Sequence, residues 1–166
     1  DLNGFKRDGS RRRKIRRECG WTNDDIVVIS LRNHRPIYGI EYLVDAIPRI
    51  VKRNNDTRFL ILGEGPLTKL FKAKADRFIK SGHVRFMGIV PHEKVADYLN
   101  AADIYVSTSF SDGTSASLLE AMACSLLVVV TEIQGNREWV EDGVSGVLVP
   151  VGNSEKLAEK ILLLTN

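Results

Sequence analysis

Asp112 and Glu120 stand eight residues apart in the stretch Ser109–Ser125, SFSDGTSASLLEAMACS, with an open turn of small residues between them. Gly113, Thr114 and Ser115 let the backbone come close to a ligand, and the pattern that begins at Ala116 is helical. The first turn of a helix offers unpaired amides and a partial positive charge, which suits a phosphate. A carboxylate beside that phosphate would repel it unless it reached something neutral. Glu120 stands about 7 Å beyond Ser115 along a helix, and sugar hydroxyls, good donors to a carboxylate, are its natural partners. Two structural alternatives stay open for the same residues. SLLE from Ser117 is a capping box, in which Ser117 caps the helix and Glu120 bonds back to its amide. Asp112 before Gly113 is also an ordinary turn residue.

These residues need a frame to hold them. From Ile26 onward, six aliphatic runs (IVVISL, RFLIL, HVRFM, DIYVS, LLVVV and SGVLV) alternate with helical patterns that begin at Ile40, Leu67, Glu93, Ala116 and Ser154. The runs are mostly apolar throughout, as strands buried on both faces require. In the helix from Ile40, the residues Tyr42, Leu43, Ala46, Ile47, Ile50 and Val51 form one apolar stripe. Strand, helix, strand repeats of this length imply right-handed crossovers. The expected fold is therefore α/β, a Rossmann-like parallel sheet of about six strands with helices on both faces. Such sheets bind ligands outside the carboxyl ends of their strands, which puts the loops after VVISL, FLIL, VRFM and IYVS at the site, the Asp112 turn among them. LGEGPL from Leu62 has the look of a phosphate loop through Gly63 and Gly65, without a third glycine or a Walker lysine. His34, His83 and His92 are scattered and read as solvated or satisfied side chains. GNRE, Gly135 to Glu138, reads as a helix start that puts Trp139 in the core.

At 166 residues and 43% hydrophobic, the chain has the size and apolar content of one compact domain. Its longest apolar runs are too short to cross a bilayer. Cys19 and Cys124 stand outside any CxxC pair, which indicates neither a disulfide framework nor a zinc site and fits a reducing, cytoplasmic setting. The net charge of +3 conceals a bias, because Lys6, Arg7, Arg11, Arg12, Arg13, Lys14, Arg16 and Arg17 crowd into twelve positions. Such a run can track phosphates or anionic lipid head groups, giving a peripheral contact with the inner membrane face through Lys6 to Arg17, or it can form a solvated linker and helix face. The opening DLNGFKRDG, without an initiator methionine, reads like the middle of a gene product whose upstream half is missing.

SFSDGTSASLLEAMACS followed by TEIQGNREWVEDGVSGVLVP resembles the carboxyl-terminal half of the retaining glycosyltransferases of family 4, which have the GT-B fold. The family's signature here is E-x7-E, then A-M-A-C-G-x-P-V, G-x-x-E and D-G-x-x-G. FLILGEGP, HVRFMGIVP and YLNAADIYVSTS extend the similarity from about Ile26 to Leu163. The resemblance implies that Asp112 faces the donor hexose, that Gly113, Thr114 and Ser115 meet the pyrophosphate side, and that Glu120 holds the ribose hydroxyls. It also implies that Gly63, Gly65 and Gly88 belong to the nucleotide cleft and that GNRE lies near it. The sequence departs from the family where Asp112 replaces a glutamate and where Ser125 and Leu127 replace the glycine and proline of G-x-P. Tyr38 takes the place of the lysine in the family's G-R-L-x-x-x-K-G segment. A cation is still needed where the leaving diphosphate gains charge. Arg32 and Arg35 are the candidates, Arg35 lying nearer Gly39 in sequence.

The resemblance implies the donor-binding half of an enzyme that moves a hexose-type sugar from a UDP-, GDP- or ADP-sugar to an acceptor hydroxyl with retention of configuration. Residues 1–25 would then be a basic interdomain linker and first-helix region, and 26–166 the nucleotide-sugar domain. The acceptor, a glycan or lipid-linked molecule, would belong to the missing amino-terminal domain. No cofactor and no metal are expected, since no DxD-like pair stands at a strand end and amide dipoles and arginines would carry the charge. The alternative is a degenerate or regulatory nucleotide-binding module without turnover, suggested by Tyr38 and Asp112. A nucleic-acid module built on KRDGSRRRKIRR is disfavoured, because that segment has no interleaved aromatic for stacking on bases.

Overall fold

In the computed structural model, which describes residues 2–165, the aliphatic runs form six parallel strands. They are β1 (Ile26–Leu31), β2 (Thr57–Leu62), β3 (Val84–Gly88), β4 (Ile104–Ser107), β5 (Leu127–Thr131) and β6 (Val147–Val149). The order across the sheet is β3-β2-β1-β4-β5-β6. Connections run outward in both directions from the β1/β4 pair, so the sheet has its topological switch point there, the place where such folds bind ligands.

The helices are α1 (Gly9–Cys19), α2 (Ile40–Arg53), α3 (Thr68–Lys74), α4 (Asp76–Lys80), α5 (His92–Ala101), α6 (Ala116–Ala123), α7 (Gln134–Arg137) and α8 (Ser154–Leu164). Successive strand residues point to opposite faces. Val27, Ile29, Leu60, Tyr105 and Val128 pack on one side with Ile15 of α1, Leu99 of α5 and Leu118 of α6. Val28, Phe59, Ile61, Ile104 and Val129 pack on the other with Ile47 of α2, Phe71, Phe78 and Ile161 of α8. Both faces are covered, and that is why the strands carry no polar alternation.

Two local expectations are corrected. The helical pattern from Leu67 is divided between α3 and α4 at Ala75, where Phe78 N donates to Ala75 O at 2.8 Å. This tight turn keeps Phe71, Ala75 and Phe78 all buried. Trp139 is 45% exposed, and Val140 takes the core position at 2%. The short helix α7 ends before Trp139, and the turn that follows hands the inward direction to the next residue.

Part of the basic run is internal. Asp8 caps α1 by accepting from the amides of Ser10 and Arg11, and Gly20, at φ 76°, ends the helix. Arg16 is 1% exposed. It donates to Ala101 O at 2.8 Å, to Asp25 O at 2.6 Å and to Asp103 Oδ2 at 2.7 Å. Arg12 holds the other Asp103 oxygen at 2.7 Å, while Lys6, Arg7, Arg13, Lys14 and Arg17 remain exposed. Among the described residues, no helix is long and apolar enough to cross a membrane.

Candidate functional site

The carboxyl ends of β1, β2 and β3 enclose an open cleft of about 260 Å³, lined by Arg32, Asn33, Tyr38, Gly63, Ile89 and Val90 among others. Arg32 links this cleft to the turn after β4, whose own residues lie outside the lining. Arg32 Nη2 lies 2.6 Å from Asp112 Oδ2, an ion-pair contact without hydrogen-bond alignment. The same Nη2 donates to Ser115 Oγ. The guanidinium carbon is 5.7 Å from the centre of the Tyr38 ring. Arg32, Asp112 and Ser115 thus meet at the β1/β4 switch point, although eighty positions separate the first two in sequence.

The loops that carry them are pinned to one another. Phe110 N donates to Ile37 O at 2.9 Å, and Thr108 Oγ1 to Tyr38 O at 3.0 Å. Gly39, at φ 57°, admits this approach, since a Cβ there would stand 2.4 Å from Thr108 O. Beneath the Asp112 turn lies Gly135 of α7, where a Cβ would stand 2.5 Å from Asp112 O and 2.6 Å from Gly113 O. Thr131 Oγ1 donates to Ser109 O at 2.6 Å and holds the same loop from β5. The glycine of GNRE supports the turn from below, a packing role that only the fold makes visible.

Helix α6 begins at Ala116, and Ser115 is its N-cap: its hydroxyl accepts from Leu118 N at 3.3 Å. Ser117 is not the cap. Its hydroxyl pairs with Tyr105 Oη at 2.8 Å, so the capping-box alternative does not hold. Gly113 and Thr114 are exposed on the turn ahead of the helix. Among the described residues, the amides of Ala116 and Ser117 make no hydrogen bond, while Leu118 N and Leu119 N bond back to Ser115.

The remaining candidates are placed as follows. Gly63, at φ 103°, lines the cleft, and a Cβ on it would stand 2.2 Å from Arg32 O. Gly65 has the same relation to His34 O, at 2.6 Å. These glycines allow the β2 loop to lie against the β1 loop. Gly88, at φ 69°, sits beside Glu64 and outside the lining. Arg35 is exposed and also outside it. Glu120 is 8% exposed, is not among the lining residues, and contacts His92 Nε2 at 2.9 Å through Oε1. Nothing in the spacing of the histidines signalled that pair, which depends on α5 and α6 lying side by side. Burial pushes His34 below the usual imidazole range and the Cys124 thiol up to about 11. Among the described residues, no group of three or more His, Cys, Asp or Glu could hold a metal ion.

Residues 24–166 match the family described as Glycosyl transferases group 1. The chain belongs to the group 1 glycosyltransferases. It is 32% identical over 114 residues to the GPI3 subunit of phosphatidylinositol N-acetylglucosaminyltransferase from Saccharomyces cerevisiae, covering 69% of this chain and 25% of that protein. With the phosphatidyl-myo-inositol mannosyltransferase of Mycolicibacterium smegmatis it shares 30% identity over 145 residues, 86% of this chain and 37% of the relative. Among solved structures, Anabaena HepE in complex with UDP-glucose superposes with a TM-score of 0.86 at 26% identity, over 99% of this chain and 45% of that one. This group 1 glycosyltransferase chain thus spans about a quarter to a little over a third of these two curated relatives. Its Rossmann-like sheet is that of GT-B glycosyltransferases.

Proposed function

We propose that this chain is the donor-binding half of a retaining glycosyltransferase that takes a hexose-type sugar from a nucleoside diphosphate. The observation that carries the reading is the meeting of Arg32, Asp112 and the Ser115-capped start of α6 at the switch point. In the proposed complex the diphosphate lies against the amides ahead of α6 and the Arg32 guanidinium, which answers the charge that grows on the leaving group. Asp112 accepts from hydroxyls of the hexose, and Glu120 from those of the ribose. Arg32 is preferred to Arg35 because it reaches into the cleft while Arg35 faces solvent. The structure of HepE with UDP-glucose supports a donor of this class. The acceptor, a glycan or lipid-linked hydroxyl, is assigned to an amino-terminal domain of the whole protein.

Titration of this chain with UDP, GDP and ADP tests the reading. Arg32→Gln is expected to weaken the tightest of them by about 1.5 to 3 kcal/mol, with Arg35→Gln close to wild type. Equal loss in both variants, or none in the first, would remove Arg32 from the diphosphate. A second reading, binding without turnover, is favoured by one observation: Arg32 is already neutralised by Asp112, and Tyr38 supplies no second cation. Transfer assays on the full-length protein separate the two, because a regulatory module binds nucleotide and turns over no donor.

A further inference from the structure

Glu120 is nearly buried, with 10% of its side chain exposed, yet its hydrogen-bond partner His92 is 73% exposed. His92 opens α5 and brings Nε2 to 2.9 Å from Glu120 Oε1. A carboxylate can only accept, so Nε2 carries the hydrogen. The imidazole is backed by Phe5, whose ring meets it edge-on at a centroid distance of 5.6 Å. Phe5 is itself buried against the α1/α5/α6 side of the core. A chain of contacts thus runs from the amino-terminal segment through Phe5 and His92 to Glu120. It engages Oε1, and among the described residues Oε2 makes no hydrogen bond.

We propose that His92 is a positioning residue for Glu120. It fixes Oε1 from the solvent side and leaves Oε2 to accept from the vicinal 2′- and 3′-hydroxyls of a nucleoside diphosphate's ribose. The inference rests on the donor-site reading given above and adds to it the residue that sets the carboxylate's geometry. A free glutamate must surrender rotamer freedom when it grips a diol, whereas one already held by an imidazole has surrendered it in the empty protein. The difference appears as affinity confined to the ribose hydroxyls.

The test compares the nucleoside diphosphate that binds most tightly among UDP, GDP and ADP with its 2′,3′-dideoxy analogue, by calorimetry on this chain. His92→Ala is expected to weaken the ribose form about five- to tenfold and leave the dideoxy form unchanged, while the thermal midpoint falls modestly because Glu120 loses its donor and Phe5 its edge contact. His92→Gln, whose amide reaches a similar position, is expected to recover most of the loss. Equal weakening of both ligands would mean a structural role, and tighter binding by His92→Ala would mean that the imidazole competes with the ribose. Either result overturns the proposal, as does a ribose preference that the alanine variant leaves intact or that the glutamine variant fails to restore. Wild-type protein that binds no nucleoside diphosphate, or binds the two forms alike, overturns the ribose assignment of Glu120 itself, an outcome read without any His92 variant.

Discussion

At the scale of single residues, the site is a set of charges held between being satisfied and being available. Arg32 already has Asp112 and Ser115 as partners, so in the proposed complex a diphosphate would have to draw the guanidinium from an existing ion pair. His34, two residues beyond Arg32, is fully buried, with Nδ1 2.8 Å from Thr68 Oγ1, and the same hydroxyl accepts from Gly65 N at 2.9 Å. Burial depresses the His34 pKa from its ordinary 6.5, outweighing the opposing field of Glu64. The folded state therefore keeps the ring neutral while the unfolded chain takes up a proton. Stability from this group is complete above about pH 6.5 and falls as pH drops from there toward the lowered folded value. His83, also depressed by burial, acts in the same direction. His34→Gln is expected to flatten part of the fall in denaturant-measured stability below about pH 6.5. An unchanged slope would show that His34 does not contribute to it.

At the scale of elements, loop ends are decided by backbone conformation. Helix α6 ends in a Schellman turn: Leu126 N donates to Ala121 O at 3.1 Å and Ser125 N to Met122 O at 2.9 Å. Ser125 occupies the left-handed position at φ 63°, the only non-glycine residue with positive φ among those described. The family resemblance puts glycine at this place, and the turn explains why. A side chain in this conformation costs about 1 to 2 kcal/mol, part of which glycine returns through its freer unfolded chain. Ser125→Gly is expected to raise stability by about 0.5 to 1 kcal/mol in chemical denaturation, with nucleotide binding unaltered. A loss of stability would mean that the unfolded-state entropy outweighs the relieved strain.

At the scale of the whole molecule, one buried cation ties the amino-terminal helix to the sheet. Arg16 satisfies Asp103 and the carbonyls of Ala101 and Asp25 together, and Asp103 Oδ2 also accepts from Val27 N at 2.8 Å, at the start of β1. Desolvation lowers the arginine's pKa while the Asp103 charge opposes that effect. Arg16→Met is expected to destabilise the chain by about 3 to 5 kcal/mol, because it leaves a carboxylate and several carbonyls without their shared donor. A change under about 1 kcal/mol would mean that water replaces the guanidinium, and that residues 1–25 are energetically a linker. The second expectation at this scale concerns turnover. On the proposed reading the chain is expected to bind a nucleotide sugar yet show at most slow donor hydrolysis, because an acceptor held in place by a second domain would be worth about 7 to 11 kcal/mol of barrier. Transfer assays with this chain and with the full-length protein check it. Efficient transfer by this chain alone would place the acceptor site within it.

The parallel sheet and its strand runs were legible in the sequence, because strands buried on two faces are apolar throughout, and the edge proposed to carry the site followed from where such sheets meet ligands. The Asp112 turn and the helix after it were legible for the same local reasons. Local sequence could not choose between Ser115 and Ser117 as the cap, since both precede the same helix; Tyr105, from the adjacent strand β4, draws the Ser117 hydroxyl away and leaves Ser115 to cap. Nor could it tell that Gly63 and Gly65 make room for the β1 loop, that Gly135 supports the Asp112 turn, or that Trp139 faces outward. Arg32 with Asp112 and His92 with Glu120 are pairings between separate elements, eighty and twenty-eight positions apart. Spacing along a chain records which residues share a face of one element. Which faces then meet is decided by the order of the strands and the packing of helices across them, and that is where the two side-chain pairs of the candidate site were made.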